Sequence, residues 1–311
     1  MTNTRKIKPT SRLVAAGRQA LMTLIGEDNF YKARKYANIN LEQRGKQVMF
    51  IHQMGKVGST SISASLRAAG IRDEMAIYQT HFLSDAGMAF LRDVAIEARG
   101  GWDSLPPKGK KTYLRSPMLL EKVHEARDGD GRIKVITLVR DPVATNVSGY
   151  FHNFEWWPDE LTAAARRDAP DILDRLLANF LANYPHRMPL QWFDMEIKTV
   201  FDVDVFAEPF DRELGYHIYH GAYTDMVLIK LEQLNDRAEE VFKQFLSLDH
   251  FELVSTNLGE EKWYSPLYDR FKKWVSLPDS YLDELYNSEY ATHFYTPDEI
   301  VAFRRRWTAA T

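Results

Sequence analysis

The sequence predicts an α/β fold in which a central parallel sheet is flanked by helices. Three observations carry that expectation. Short apolar runs recur at 47–53, 75–81, 132–140 and 225–234, as in strands buried on both faces. Stretches with helical periodicity lie between them, the alternation expected of an α/β sheet. The residues able to do chemistry sit where the runs end, at the C-terminal edge such a sheet presents to ligands.

Residues 1–45 read as a basic helical arm, and residues 46–311 as one catalytic body with no internal repeat or low-complexity linker. The first 50 residues carry ten Lys/Arg against three Asp/Glu, so the arm could pack on the body or touch anionic lipid or an acidic glycan. Its apolar stretch is broken by Arg18 and Gln19 and lacks the h-region of a signal peptide.

The first run, "QVMFIHQ" (47–53), leads into Gly55, Lys56, Val57, Gly58, Ser59, Thr60 and Ser61, and then into the helical "SISASLRAAG". Glycines let the backbone turn tightly and approach an anion. Amide N–H groups at a helix start, with three hydroxyls, can cradle phosphate oxygens, and Lys56 adds a point charge. The lysine precedes the second glycine, so the nucleotide triphosphatase pattern G-x-x-x-x-G-K-[ST] is absent. The plain alternative is a Gly/Ser-rich turn with no ligand.

The second run, "MAIYQTH" (75–81), ends at Thr80 and His81, and a neutral imidazole there could take a proton from a hydroxyl. His52 and His124 are weaker candidates for that role. The helical "SPMLLEKVHEARDG" (116–129) separates it from "RIKVITLVR" (132–140). That third run delivers Arg140; Asp141 is placed to cap a helix and Pro142 to begin it. Ser148 follows Arg140 by about two helical turns, so a guanidinium and a hydroxyl could hold one phosphate from two sides. The alternative is an arginine in an ordinary ion pair beside a surface serine.

Past that helix, His152, Trp156 and Trp157 in "HNFEWWPDE" (152–160) could offer aromatic faces to a sugar acceptor, although adjacent tryptophans are often core. The helical "DILDRLLANFLANY" (171–184) and the strand "DMVLIKLEQL" (225–234) complete the framework, with Glu232 suited to holding the sheet edge. Near the C-terminus, "GEEKWYSPLYDRFKKW" (259–274) gathers Lys262, Trp263, Tyr264 and Ser265.

Composition sets the outer limits. The 311 residues are 45% hydrophobic and 27% charged, with net charge −3, ordinary for a globular chain and no global case for nucleic acid. With no cysteine, disulfides, thiolate catalysis and cysteine-bound zinc are excluded, and a reducing, cytoplasmic setting fits. No apolar stretch nears the roughly 20 residues of a membrane span, and no convincing metal-ligand cluster stands out.

Together the first and third chemical stretches resemble the PAPS-dependent sulfotransferases, which carry a K-x-G-[ST]-[ST] loop and a strand-terminal R-[DN]-P with a serine eight residues on. The resemblance implies a P-loop-like, three-layer sulfotransferase fold. It also implies that Lys56, Gly58, Ser59 and Thr60 bind the 5′-phosphosulfate, and that Arg140 and Ser148 bind the 3′-phosphate. Thr80-His81 is similar to the pair that supplies the base in cytosolic members, whereas others use glutamate. Lys262 to Ser265 resemble the Asn-Lys-Trp-Tyr-Ser motif of a bacterial family of capsular polysaccharide synthesis proteins, with Glu261 in place of the asparagine. By that analogy Lys262 meets phosphate, and Trp263 or Tyr264 packs near adenine. The implied activity is sulfuryl transfer from PAPS, without a metal, to a hydroxyl on a glycan or other acceptor. A nucleotide-dependent kinase on a related fold and a non-catalytic nucleotide- or glycan-binding protein are the competing expectations.

Overall fold

The computed structural model describes residues 23–24, 26–96, 100–104, 107–154, 157–254 and 262–308. Its framework is a five-stranded sheet of β1 (Gln47–His52), β2 (Met75–Thr80), β3 (Ile133–Val139), β4 (Tyr216–His220) and β5 (Thr224–Lys230), in the order β2-β1-β3-β5-β4. Four strands run parallel, and each lies within one of the four apolar runs or begins a residue before it. The fifth, β4, pairs antiparallel with β5 at the sheet edge. The all-parallel expectation is thereby corrected. A hairpin needs only a short connection to add an antiparallel edge strand, whereas a parallel neighbour needs a crossover.

Alternation along the strands sends Phe50, Tyr78, Val135 and Leu228 into one apolar cluster, and Met49, Ile51, Ile77, Ile136 and Val227 into another. Both sets are buried. Covering the sheet on both faces is what makes the strands read as unbroken apolar runs. The described helices named below are α1 (Glu27–Gln43), α2 (Ser59–Ala68), α3 (Pro107–Arg127), α4 (Pro142–His152), α5 (Ile172–Asn183), α6 (Leu234–Leu246), α7 (Ser265–Trp274) and α8 (Pro297–Thr308). Ile62 and Leu66 of α2, with Val241 and Phe242 of α6, cover the second face. Leu119 and Val123 of α3 cover the first, together with Trp192, Ile197 and Phe201 from the helical segments Met188–Trp192, Phe193–Lys198 and Thr199–Phe201. Full burial of each such side chain contributes about 1.5–3 kcal/mol. A third cluster, built from Val147, Phe151, Phe180, Phe271 and Leu282, joins α4, α5, α7 and the helical segment Asp279–Tyr286.

The described part of the N-terminal arm, α1, buries Ile39, and the Ile39 carbonyl accepts a hydrogen bond from the Tyr78 hydroxyl at 3.1 Å. Residues 1–22 lie outside the described residues. Among those described, no helix is long and apolar enough to cross a membrane.

β2 and β3 flank β1 on opposite sides, so the chain reverses direction across the sheet between β1 and β3. Crevices at such a switch point, beyond the strands' C-terminal ends, are where open α/β sheets take ligands. The segment after β1 and the segment after β3 carry Lys56 and Arg140.

Gly58 makes the turn from β1 into α2 with φ +98°, and a Cβ built on it would lie 2.8 Å from Leu231 Cδ1. Gly58→Ala is therefore expected to lower stability by about 1–3 kcal/mol, because both the left-handed backbone and the contact disfavour a side chain there. Thermal unfolding of the variant beside the parent protein measures it; an unchanged midpoint would contradict the close approach.

Candidate active site

Each candidate side chain is delivered by a specific local structure. After β1 the chain turns through Gly55 and Lys56, and Lys56 itself is left-handed, with φ +70°. A non-glycine residue held there stores backbone strain of a kind that clusters at functional sites. Gly58 then begins α2 with no side-chain cap, which leaves the helix's first N–H groups without a capping oxygen. Ser59 Oγ accepts a hydrogen bond from Gln79 Nε2 at 2.7 Å, which ties the loop to the end of β2.

Arg140 leaves β3 under tight control. The Tyr290 hydroxyl donates to the Arg140 carbonyl at 2.8 Å, and Arg140 Nη1 donates to the Lys56 carbonyl at 2.8 Å. The arginine thus braces the loop that carries the lysine. Behind it, Asp141 caps α4 by accepting from the Val143 amide at 2.9 Å, and Pro142 begins the helix, as the sequence predicts. The same buried carboxylate also accepts from the Tyr286 hydroxyl at 2.9 Å and Trp307 Nε1 at 3.3 Å. Burial nevertheless pushes it above the usual carboxylate range. Glu232 accepts from the Asp141 amide at 2.9 Å and the Tyr295 hydroxyl at 3.2 Å, holding the sheet edge as expected.

A cavity of about 730 Å³ opens over this edge. Gly55, Lys56, Gly58, Ser59, Thr60, Ser61, His81, Arg140, Ser148, His152 and Lys262 all line it. Residues separated by more than 200 positions in the chain are thereby brought together around one space. Its described lining contains Lys56, Arg140 and Lys262 and no carboxylate. Burial, followed by the charges of Lys262 and Arg140, pulls the Lys56 ammonium down to about 8. A multiply charged anion would relieve that repulsion, and the cavity's potential favours one. Thr145 Oγ1 is buried at the cavity wall and has no hydrogen-bond partner among the described residues, a donor a ligand oxygen could satisfy.

His81 is oriented by its backbone and its ring. Its carbonyl accepts from Trp192 Nε1 at 3.0 Å, and Nδ1 lies 2.6 Å from the Gln53 carbonyl. A carbonyl only accepts, so Nδ1 carries the proton, and in the neutral ring Nε2 keeps its lone pair. Burial lowers the imidazole from its ordinary value, so the neutral, proton-accepting form prevails at pH 7. Of the weaker candidates, His52 is fully buried off the cavity, 3.1 Å from Glu196 Oε2, and His124 is exposed on the last turn of α3. Neither lines the cavity.

Other expectations need correction. Trp157 is a core residue, donating from Nε1 to the Tyr150 carbonyl at 3.2 Å, so it offers no sugar platform. Trp156 lies outside the described residues, as does Glu261. Tyr264 is buried against Phe151 and Phe154. Trp263 packs edge-on to Phe154 under the Arg166 guanidinium, 4.4 Å from the ring centroid. Neither aromatic lines the cavity, so the expected packing of one of them near adenine has no support from the lining; the neighbouring Lys262 does line it, with Nζ 2.9 Å from His152 Nδ1. The Val57 side chain is core, leaving only its backbone for a ligand.

Three residues escaped the sequence reading. Thr145 precedes Ser148 by three residues and so shares its helical face, a signal that was available. Gln79 is the polar residue two before His81 on β2. Glu196 is fully buried and accepts from the Leu83 amide at 2.8 Å, the Ser84 amide and the Ser84 hydroxyl at 2.8 Å, fixing the turn that follows His81. Its only signal was an acid among the apolar residues Trp192, Phe193 and Ile197.

Comparison with known proteins gives one family match. Residues 172–296 match the model of a family described as "Putative capsular polysaccharide synthesis protein". The matched stretch contains Lys262 to Ser265 and leaves the 55–61 loop and Arg140 outside. No curated protein and no solved structure matches the chain.

Proposed function

We propose that the protein is a PAPS-dependent sulfotransferase acting in polysaccharide synthesis, with a P-loop-like nucleotide site. The observation that carries this reading is the cationic cavity at the switch point, whose described lining holds no carboxylate and where the 55–61 loop, Arg140 and Ser148 meet a neutral histidine. The family match to capsular polysaccharide synthesis proteins supports the glycan context.

In this reading PAPS supplies the sulfuryl group, and the chain's own residues position and neutralise. The 55–61 loop and the start of α2 hold the 5′ end, and Lys56 balances charge that develops on the bridging oxygen as its bond to sulfur breaks. Arg140, Ser148 and Lys262 recognise the 3′-phosphate. His81 Nε2 takes the proton from the acceptor hydroxyl as its oxygen bonds to sulfur. The sulfated acceptor and 3′-phosphoadenosine 5′-phosphate leave, and His81 returns its proton to solvent.

A kinase would need carboxylates to hold Mg²⁺ at the phosphates, and the described lining offers none. Calorimetric titration with 3′-phosphoadenosine 5′-phosphate, ADP and ATP tests the assignment. The bisphosphate is expected to bind in the micromolar range and more tightly than ATP. Arg140→Ala is expected to weaken it about 10²-fold, the loss of one or two charge-assisted bonds. ATP binding as well as the bisphosphate, indifferent to Arg140, would overturn the reading in favour of the kinase. Tight bisphosphate binding with no transfer to any acceptor would favour the non-catalytic alternative.

A further inference from the structure

The 55–61 loop is held from two sides. Arg140 Nη1 donates to the Lys56 carbonyl at 2.8 Å from the end of β3, and Gln79 Nε2 donates to Ser59 Oγ at 2.7 Å from the end of β2. The first contact fixes backbone. The second fixes a hydroxyl, and so decides what that hydroxyl can do. A serine hydroxyl has one proton to give and two lone pairs with which to accept. Gln79 occupies a lone pair, and the Ser59 proton is left with no acceptor among the described residues. Ser59 and Gln79 both line the cavity. Strand geometry puts the glutamine there. It is the next-to-last residue of β2, beside Ile51 of β1 in the register, and by alternation it shares with Met75 and Ile77 the sheet face that α2 covers.

We infer that Gln79 is a positioning residue of the anion loop. By donating to Ser59 it keeps that hydroxyl a donor toward the cavity, so the loop takes a ligand oxygen that only accepts, as on an ionised phosphate or sulfate. This rests on the proposed nucleotide site for the ligand's identity, but the polarity of the Ser59 hydroxyl stands without it. Without Gln79 the hydroxyl is free to rotate, and the ligand must order it on binding, a cost that preorganisation removes.

The test is calorimetric titration of the full chain with 3′-phosphoadenosine 5′-phosphate and with adenosine 3′-monophosphate, which lacks the group the loop would hold. Gln79→Met keeps an unbranched side chain and removes the donor; Gln79→Ala replaces it should methionine disturb the strand. Either is expected to weaken the bisphosphate about tenfold, the scale of one hydrogen bond to a charged oxygen, and to leave the monophosphate within about twofold. Ser59→Ala is expected to do the same. The double variant is expected to lose no more than about twofold beyond either single one, because the two residues act as one contact. Equal weakening of both ligands would make Gln79 a general support of the strand and overturn the inference, as would additive losses in the double variant or no loss at all. Should the parent protein prefer ATP, the sulfuryl-transfer reading fails and the comparison passes to ATP and adenosine. A selective loss of ATP then supports the inference, and an equal loss overturns it. A parent protein that binds none of these ligands overturns both.

Discussion

His81→Gln is expected to lower kcat by about 10²–10⁴-fold, the range a positioned proton acceptor supplies, and to leave bisphosphate affinity within about twofold. Glutamine keeps most of the side-chain volume and can still donate to the Gln53 carbonyl, so the turn held by Glu196 should survive. The distinguishing readout is the acid limb of the kcat/KM profile. The imidazole's pKa lies below its ordinary value because it is buried, and the neutral form is the working one. Activity should therefore fall as pH drops through a value below about 6.5, and that limb should vanish in His81→Gln. Wild-type turnover by the variant would remove His81 from the chemistry.

Lys56→Ala is expected to lower kcat by about 10²–10³-fold, the usual cost of losing a donor aimed at developing charge, with a smaller loss of bisphosphate affinity. The contrast with Arg140→Ala is the informative part, since the arginine should affect ground-state binding first. Lys56 also predicts an alkaline limb. Its charged form is the working one, and burial with the flanking cations brings its pKa to about 8. In the free protein the ammonium is present below that value and is lost as pH rises through it, so kcat/KM should decline above pH 8. A bound anion restores favourable charge, so the corresponding limb in kcat should move to higher pH. Equal turnover by Lys56→Ala and the parent protein would sink the assignment.

The parallel framework was legible because both faces of the sheet are covered, which leaves apolar runs such as "KVITLV" with no polar alternation to blur them. β4 was not legible. At the sheet edge it carries "YHIYH" with only Tyr216 and Tyr219 buried, so its pattern is neither a continuous run nor a clean alternation. The gathering of Lys56, Arg140 and Ser148 at one cavity could be read from strand ends and motif spacing, since a sheet edge collects whatever its strands deliver; Lys262 was reached only through the resemblance of its motif. The aromatic assignments were the poor ones. Trp157 and Tyr264 show that ring chemistry alone does not separate a ligand platform from a core plug; burial decides, and spacing says little about it. Glu196 was invisible for a related reason. A lone acid in a helix gains meaning only when three donors from residues more than 100 positions away converge on it.

The anchoring of Arg140 also sets a timetable for synthesis. Its carbonyl is held by Tyr290, and the carboxylate of its neighbour Asp141 by Tyr286 and by Trp307 on α8, residues made some 145 to 166 positions later. A nascent chain can assemble the parallel strands and the loop at Lys56 well before then. The contacts that hold Arg140 and Asp141 close only once Tyr286, Tyr290 and Trp307 have been made, so the anion site is completed long after the loop at Lys56.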